Sequence, residues 1–327
     1  MYSFIWRISM ENETMVSKGG LSAAYTDKWE QRASIRTRPG KFIDFTIPGA
    51  FFPEENQPIF LADMMSGMDN ERKSKILTQS LFKYLNDIVN LEIKLINSAC
   101  NKIIYGDLAV KFDEQIKLNA YTVIIDEYYH VYIARHMINQ LREHDADLGA
   151  LSYPDSDAYV AVTEVMKRLP ERCHDIFEII AVCIFETTLV RELVEFFNSD
   201  GVHPSIKYYV NDHMNDESRH YIFFLELLGY IWTRLDENDQ AMIGGQIADF
   251  VKMYLNVESE KQFNIELLSK ITHDCEASRE SINKVYRGFE VTPDVPIVKN
   301  VLMALKRTGI LNSPIVRQGF ENIGWII

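Results

Sequence analysis

The chain has few of the residues that interrupt regular structure. Fifteen glycines and ten prolines in 327 residues exclude a collagen-like, low-complexity or linker-dominated protein. Cysteine is scarcer still. Cys100, Cys173, Cys183 and Cys275 include no C-x-x-C pair, which excludes a zinc ribbon and the iron–sulfur spacings. Cys100 and Cys183 stand in apolar stretches and read as small core residues. This usage fits a reducing, cytoplasmic setting. The opening MYSFIWRISMENE turns acidic too early for a signal peptide. No stretch approaches the roughly 18 uninterrupted apolar residues of a membrane span, so no membrane partner is expected. Basic charge is also short. The 34 Lys and Arg are outnumbered by 47 Asp and Glu, leaving a formal charge of -13. Nucleic-acid binders carry a basic patch or stripe, so none is expected as a partner. The chain has no G-x-S-x-G, no P-loop and no Gly-rich dinucleotide fingerprint.

Apolar periodicity is what the chain has in abundance. Residues 1 to about 70 hold Gly19, Gly20, Gly40 and Gly49 with Pro39, Pro48, Pro53 and Pro58, and read as an irregular N-terminal arm packed on the domain. From about residue 71 to the end, amphipathic helices take over. Long helices are expected over Glu71–Tyr105, Asp113–Glu143, Glu171–Asn198 and from Ser205, as N-cap, to Leu235. A short helix over Ala158–Arg168 links the two pairs, and weaker ones follow near Gln240–Val257, Lys261–Ile271 and Pro296–Arg307. No run alternates with period two. A helix of about 30 residues is roughly 45 Å long. Four of that length suit an all-α, ferritin-like four-helix bundle with additional C-terminal helices, here as a single domain with its arm.

Two segments share one pattern, Asp126-Glu127-Tyr128-Tyr129-His130 and Asp216-Glu217-Ser218-Arg219-His220. Glu and His three apart lie on one helix face and can touch one metal ion. A di-metal site in a bundle takes Glu-x-x-His from two helices and a lone Glu from each of the other two. Glu92, among Ile88, Leu91, Leu95, Ile96 and Ala99, and Glu186, closing the run Ile179–Phe185, supply those lone carboxylates. A buried carboxylate costs several kcal/mol, roughly, unless paired or ligated. The other use for Glu186 would be an ion pair, with Arg191 for example. The spacings match: Glu92 to Glu127 spans 35 residues and Glu186 to Glu217 spans 31, so each helical hairpin presents Glu and then Glu-x-x-His. His213, four residues before Glu217, is a candidate third histidine ligand. Asp126 and Asp216 point about 100° away from their neighbouring glutamates and suit a different task, accepting the free ring N–H of a ligand histidine. His136, His144, His174, His203 and His273 read as non-ligands. Mixed carboxylate and imidazole donors favour iron or manganese. Four glutamates would balance two divalent ions, and iron is preferred because it can reduce O2.

The order Glu92, Glu127-x-x-His130, Glu186, His213-x-x-x-Glu217-x-x-His220 resembles the AurF-type di-iron N-oxygenases, the p-aminobenzoate N-oxygenase family. The contexts IIDEYYHVY and FET are similar too, and the resemblance covers roughly residues 75 to 310. It implies a ferritin-like homodimer that holds two Fe ions on Glu92, Glu127, His130, Glu186, His213, Glu217 and His220. It further implies that a peroxo-di-iron species oxidises an amine to hydroxylamine, nitroso or nitro, as in natural-product biosynthesis. Tyr84 resembles the family's active-site tyrosine and is a candidate for the substrate pocket; core packing is its other use. Lys299, Lys306 and Arg307 are the only cations where the family offers an arginine to an aryl carboxylate. The amine can therefore be aryl or alkyl, including an amino acid derivative, free or on a carrier protein. No flavin or iron–sulfur motif is present, which implies an external reductase or ferredoxin. Asp216–His220 also resembles the D-E-x-R-H of di-iron monooxygenases, so a C–H hydroxylase or desaturase is the alternative. Iron storage proteins are usually much shorter, and a radical-bearing subunit would want a tyrosine where Ala134 stands.

Overall fold

A computed structural model describes residues 24–38, 40–145, 151–188 and 197–325. Among them helices dominate and no strand forms; one isolated parallel bridge joins Ala50 to Val202. The first hairpin pairs a long first helix with a second over Glu114–His144. The first helix runs as α3 (Asn70–Leu91), opens into a π turn over Glu92–Ile96, and closes as α4 (Asn97–Tyr105). It starts where Asp69 accepts the Arg72 N–H at 2.8 Å. Helix α5 (Glu114–His144) starts at Asp113, which accepts the Ile116 N–H at 2.9 Å. Both are N-caps that satisfy an otherwise orphaned helix donor.

The second hairpin pairs α7 (His174–Glu186) with α8 (Pro204–Trp232). Every residue from Ile176 to Glu186 is buried. A helix apolar on all sides belongs at the centre of the core, and α7 packs against α4 and α8. The expected third helix continues to Asn198, but Thr187 already leaves helical geometry, and residues 189–196, with Arg191, lie outside the described residues. The expected N-cap of the fourth helix is displaced. Proline at the first helical position needs no N–H partner and is preset in φ, so Pro204 opens α8, and the cap is His203, whose Nδ1 accepts the Ser205 N–H at 3.1 Å. The crossover helix α6 (Asp157–Met166) packs on α7. Helices α9 (Glu237–Tyr254), α10 (Glu258–Thr272), α11 (Cys275–Val285), α12 (Pro296–Arg307) and α13 (Pro314–Asn322) complete the C-terminal half. Helix α12 has the bounds expected from periodicity, whereas α11 and α13 lie where no helix was expected.

The arm is less irregular than its glycines and prolines suggest. It carries α1 (Ala24–Arg32) and a single turn, α2 (Ser34–Thr37), which pack against α5 and α8. Further on, Ala50 accepts the His203 N–H at 2.8 Å and donates to Gly201 at 2.9 Å. Gly49 allows that approach: a Cβ there would lie 2.7 Å from His203 Cα, inside any van der Waals contact. The four cysteines form no disulfide. Among the described residues no helix is long and apolar enough to cross a membrane.

Candidate metal centre

Four helices deliver one carboxylate each to the interior of the bundle. The π turn begins at Glu92. Such turns disturb the regular hydrogen-bond ladder and concentrate at functional positions, where they re-aim a side chain. Glu127 and His130 come from α5, Glu186 from the last turn of α7, and His213, Glu217 and His220 from one face of α8. Two groups result, Glu92–His130–His213–Glu217 and Glu127–Glu186–Glu217–His220. Within each, one ligand atom per residue lies within 4.8 Å of the others, and Glu217 belongs to both. All seven predicted residues therefore converge on one centre.

The distances orient the imidazoles. His130 Nδ1 lies 3.3 Å from Glu127 Oε2, 3.5 Å from Glu217 Oε1 and 3.6 Å from Glu92 Oε1. His220 Nδ1 lies 2.9 Å from Glu127 Oε1 and 3.2 Å from Glu217 Oε2. His213 Nε2 lies 2.8 Å from Glu217 Oε1 and 3.5 Å from Glu92 Oε1. Each ring thus turns one nitrogen into the carboxylate cluster.

The other nitrogens of His130 and His220 face outward to aspartates on the opposite helix. His130 Nε2 meets Asp216 Oδ2 of α8 at 3.1 Å, and His220 Nε2 meets Asp126 Oδ2 of α5 at 3.3 Å. The arrangement is reciprocal, since the aspartate preceding each Glu-x-x-His serves the other motif's histidine. Arg219, which the sequence reading did not single out, lies between them and donates to Asp126 Oδ2 at 3.0 Å and to Asp216 Oδ1 at 2.5 Å. The arm closes the network. Trp29 Nε1 donates to Asp126 Oδ1 at 2.8 Å, and the Ser34 N–H donates to Asp216 Oδ1 at 3.2 Å. Arg219 had a signal, being three residues after Asp216 on the same helix. Trp29, 97 residues from Asp126, had none.

Electrostatics mark the cluster as a site short of positive charge. Burial, with the nearby Glu127 carboxylate, pushes the Glu92 carboxyl up to about 7. Burial, then Glu217 and Glu127, raises Glu186 well above the usual carboxylate range. Burial acts on Glu217 in the same sense, yet His220 and His213 overcome it and hold Glu217 well below that range. Like charges this close cannot both ionise cheaply, so the two carboxyls are pushed in opposite directions, Glu186 up and Glu217 down. The histidines answer in kind. Against burial, Asp216, Glu127 and Glu92 raise His130 well above the ordinary imidazole value, Tyr25 with Glu217 and Glu127 does the same to His220, and Glu217 and Glu92 raise His213 to about 9. Protons thus occupy positions that cations can take. Glu92 Oε2 and Glu186 Oε2 are buried without a hydrogen-bond partner, a costly state for a carboxylate oxygen unless it ligates an ion. The donor set of carboxylate oxygen and imidazole nitrogen, without thiolate, fits iron or manganese.

Beside this cluster lies a cavity of about 60 Å³, lined by Tyr84, Ile88, Leu91, Ile96, Phe185 and Met214 together with Glu92, Glu186, His213 and Glu217. Tyr84 is among the residues lining this cavity. Its hydroxyl is buried with no hydrogen-bond partner, and burial, then Glu217 and Glu92, raises its pKa. Lys299, Lys306 and Arg307 are not among the lining residues; Lys299 lies 4.0 Å from Asp294 and Arg307 donates to the Tyr221 hydroxyl at 3.3 Å.

Comparison with known proteins agrees with this geometry. The chain is 21% identical over 216 residues to the 4-aminobenzoate N-oxygenase of Streptomyces thioluteus, a match covering 65% of this chain and 64% of that protein's length. The family model described as P-aminobenzoate N-oxygenase AurF matches residues 29–289. That stretch runs from Trp29, the arm residue bonded to Asp126, past every member of the cluster. The chain belongs to the AurF family of p-aminobenzoate N-oxygenases.

Proposed function

We propose that the protein is an O2-dependent di-iron N-oxygenase that oxidises an amine to its hydroxylamine, nitroso or nitro product. The observation that carries this reading is the convergence of four carboxylates and three imidazoles on one buried centre, in a chain of the AurF family. In this reading Glu92, His130 and His213 would hold one ion and Glu127, Glu186 and His220 the other, with Glu217 available to both. Two divalent ions would neutralise the four carboxylates. Iron bound there supplies the electrons and Lewis acidity for O2 activation.

The chain's own residues do the rest. Asp216 and Asp126 hold the outer N–H of His130 and His220, which fixes the inner nitrogens toward the cluster. Ile88, Leu91, Ile96, Phe185 and Met214 give the cavity beside the cluster an apolar wall and exclude bulk water. The Tyr84 hydroxyl oxygen can accept an N–H from the amine, leaving the nitrogen lone pair free for oxygen transfer. No Lys or Arg lines the cavity among the described residues. A carboxylate beside four glutamates without a countercharge is disfavoured, so the site suits an amine with an apolar body better than 4-aminobenzoate itself. A separate reductase or ferredoxin supplies electrons, and a chain with four free cysteines suits the cytoplasm.

The test is a product assay. Iron-loaded protein is given a mediated chemical reductant, O2, and a panel of aryl amines, alkyl amines, carrier-tethered amines and 4-aminobenzoate. N-oxygenated products, formed faster from amines without a carboxylate, are expected. C-hydroxylated products alone would overturn the reaction class; fastest turnover of 4-aminobenzoate would overturn the substrate preference.

A further inference from the structure

The outer nitrogens of His130 and His220 are joined by one continuous chain of contacts. His130 Nε2 meets Asp216 Oδ2 at 3.1 Å, and Asp216 Oδ1 accepts from Arg219 Nη2 at 2.5 Å. The same Nη2 donates to Asp126 Oδ2 at 3.0 Å, and that oxygen meets His220 Nε2 at 3.3 Å. A single guanidinium nitrogen therefore serves both aspartates. The two carboxylates are fully buried and the Arg219 side chain is 7% exposed, so salt screens these charges little. The remaining donors to the aspartates, Trp29 Nε1 and the Ser34 N–H, are neutral. Among the described residues, Arg219 is the fixed cation that touches this pair. Its Nε is buried without a partner, so the guanidinium sits where the aspartates need it and not where all its donors are met.

We propose that Arg219 keeps the iron pair reducible by halving the negative charge behind its histidines. This rests on iron as the occupant of the centre. An imidazole whose outer N–H faces a carboxylate is a more basic ligand. Basic and anionic ligands favour Fe(III) over Fe(II), because they meet the extra charge of the oxidised ion. Four glutamates already act in that direction. Two bare aspartates behind His130 and His220 would add two more negative charges. With Arg219 shared between them, the layer carries one. Its place at the middle of the chain gives the histidines of both ions the same relief. Each Fe(III) takes one electron from an external one-electron donor, which is oxidised in turn; no bond to Arg219 forms or breaks. Arg219 acts through the aspartates and is a positioning residue. The effect is electrostatic and strong in a dry interior, which separates it from a mere brace.

The test reads a potential and not turnover. Wild type and variants are saturated with iron, their iron is counted by elemental analysis, and the midpoint potential is taken by mediated titration followed in visible absorption. Arg219→Gln removes the positive charge and should shift the reduction equilibrium toward Fe(III) by about tenfold or more, which is 59 mV for a one-electron couple. Asp216→Asn removes a negative charge and should shift it the other way, so the proposal remains testable if Arg219→Gln does not fold. The double variant loses one charge of each sign and should return close to wild type, although it lacks the same brace. A brace without an electrostatic role predicts the reverse, with the double variant at least as far from wild type as either single one. That result, or potentials unmoved at full iron content, overturns the proposal and leaves the iron centre standing. A wild-type chain that takes up no iron overturns the metal reading, and the proposal with it.

Discussion

Asp216 on α8 lies 3.1 Å from Nε2 of His130 on α5, so the aspartate of one Glu-x-x-His motif anchors the histidine of the other. Asp126 and His220 repeat the relationship in reverse at 3.3 Å. Neither helix can turn or slide without disturbing ligands on both. The two motifs thus form one unit across the bundle.

Asp216→Asn should preserve the fold and weaken metal binding. Asparagine keeps the shape but removes the charge that favours a donating His130 Nε2–H, and outer partners of this kind are worth about 10–100-fold in metal affinity. Competition titration with a chelator of known affinity measures it. Unchanged affinity would mean that the contact does not support the site.

Glu186→Gln should lower metal content from two ions per chain toward one. In the metal-free chain burial, then the Glu217 and Glu127 carboxylates, raise Glu186 and so favour its uncharged form. An uncharged isostere should therefore change apo stability by less than about 1 kcal/mol while removing a ligand. Elemental analysis and thermal melting separate the two effects. Two ions per variant chain would sink the ligand assignment.

The stabilisation given by metal should grow with pH between about 6 and 9. In the metal-free fold Glu92 is raised to about 7 and His213 to about 9. Both shifts are upward. The stability they contribute is complete below their unfolded values and is lost as pH rises through 7 and then 9. Metal binding runs the other way, because it must displace those protons. The apo fold therefore weakens with pH as metal affinity strengthens. At free metal about 100 times Kd the stabilisation is about 2.7 kcal/mol. Tm of apo and loaded protein, compared at pH 6, 7.5 and 9, should diverge; a constant gap would contradict proton–metal exchange at these groups.

Trp29→Phe should cost about 1.5–3 kcal/mol, the usual worth of a hydrogen bond to a charged acceptor, and should loosen metal bound through His220. The ring stays apolar, but Asp126 Oδ1 loses its 2.8 Å donor. Denaturant melts report the first effect and metal affinity the second. A stability loss with wild-type metal affinity would confine the arm to a structural role.

Most of the centre was legible because its chemistry is local. Glu and His three apart share a helix face wherever they occur, and Glu186 betrayed itself as a charge in an apolar run. The capping aspartates Asp69 and Asp113 stood within two residues of the expected helix starts. Other features left no local trace. The π turn at Glu92 has an ordinary helical sequence, so nothing announced that the helix opens there. Helix α1 is short and polar, held by contacts to α5 and α8 rather than by its own propensity. The His203 cap depended on seeing that Pro204 would supply the first helical position.

Helical periodicity and the placement of charges within apolar runs determined the bundle, the seven convergent side chains and their donor chemistry, because these follow from residues within a few turns of one another. Only the tertiary structure decided that the aspartates cross over, that Arg219 and Trp29 brace them, and that no lysine or arginine among the described residues lines the cavity. Those relationships join residues up to 97 positions apart. Hydrophobic patterning specifies which face of a helix turns inward, but it does not encode which side chain of another helix will meet it there.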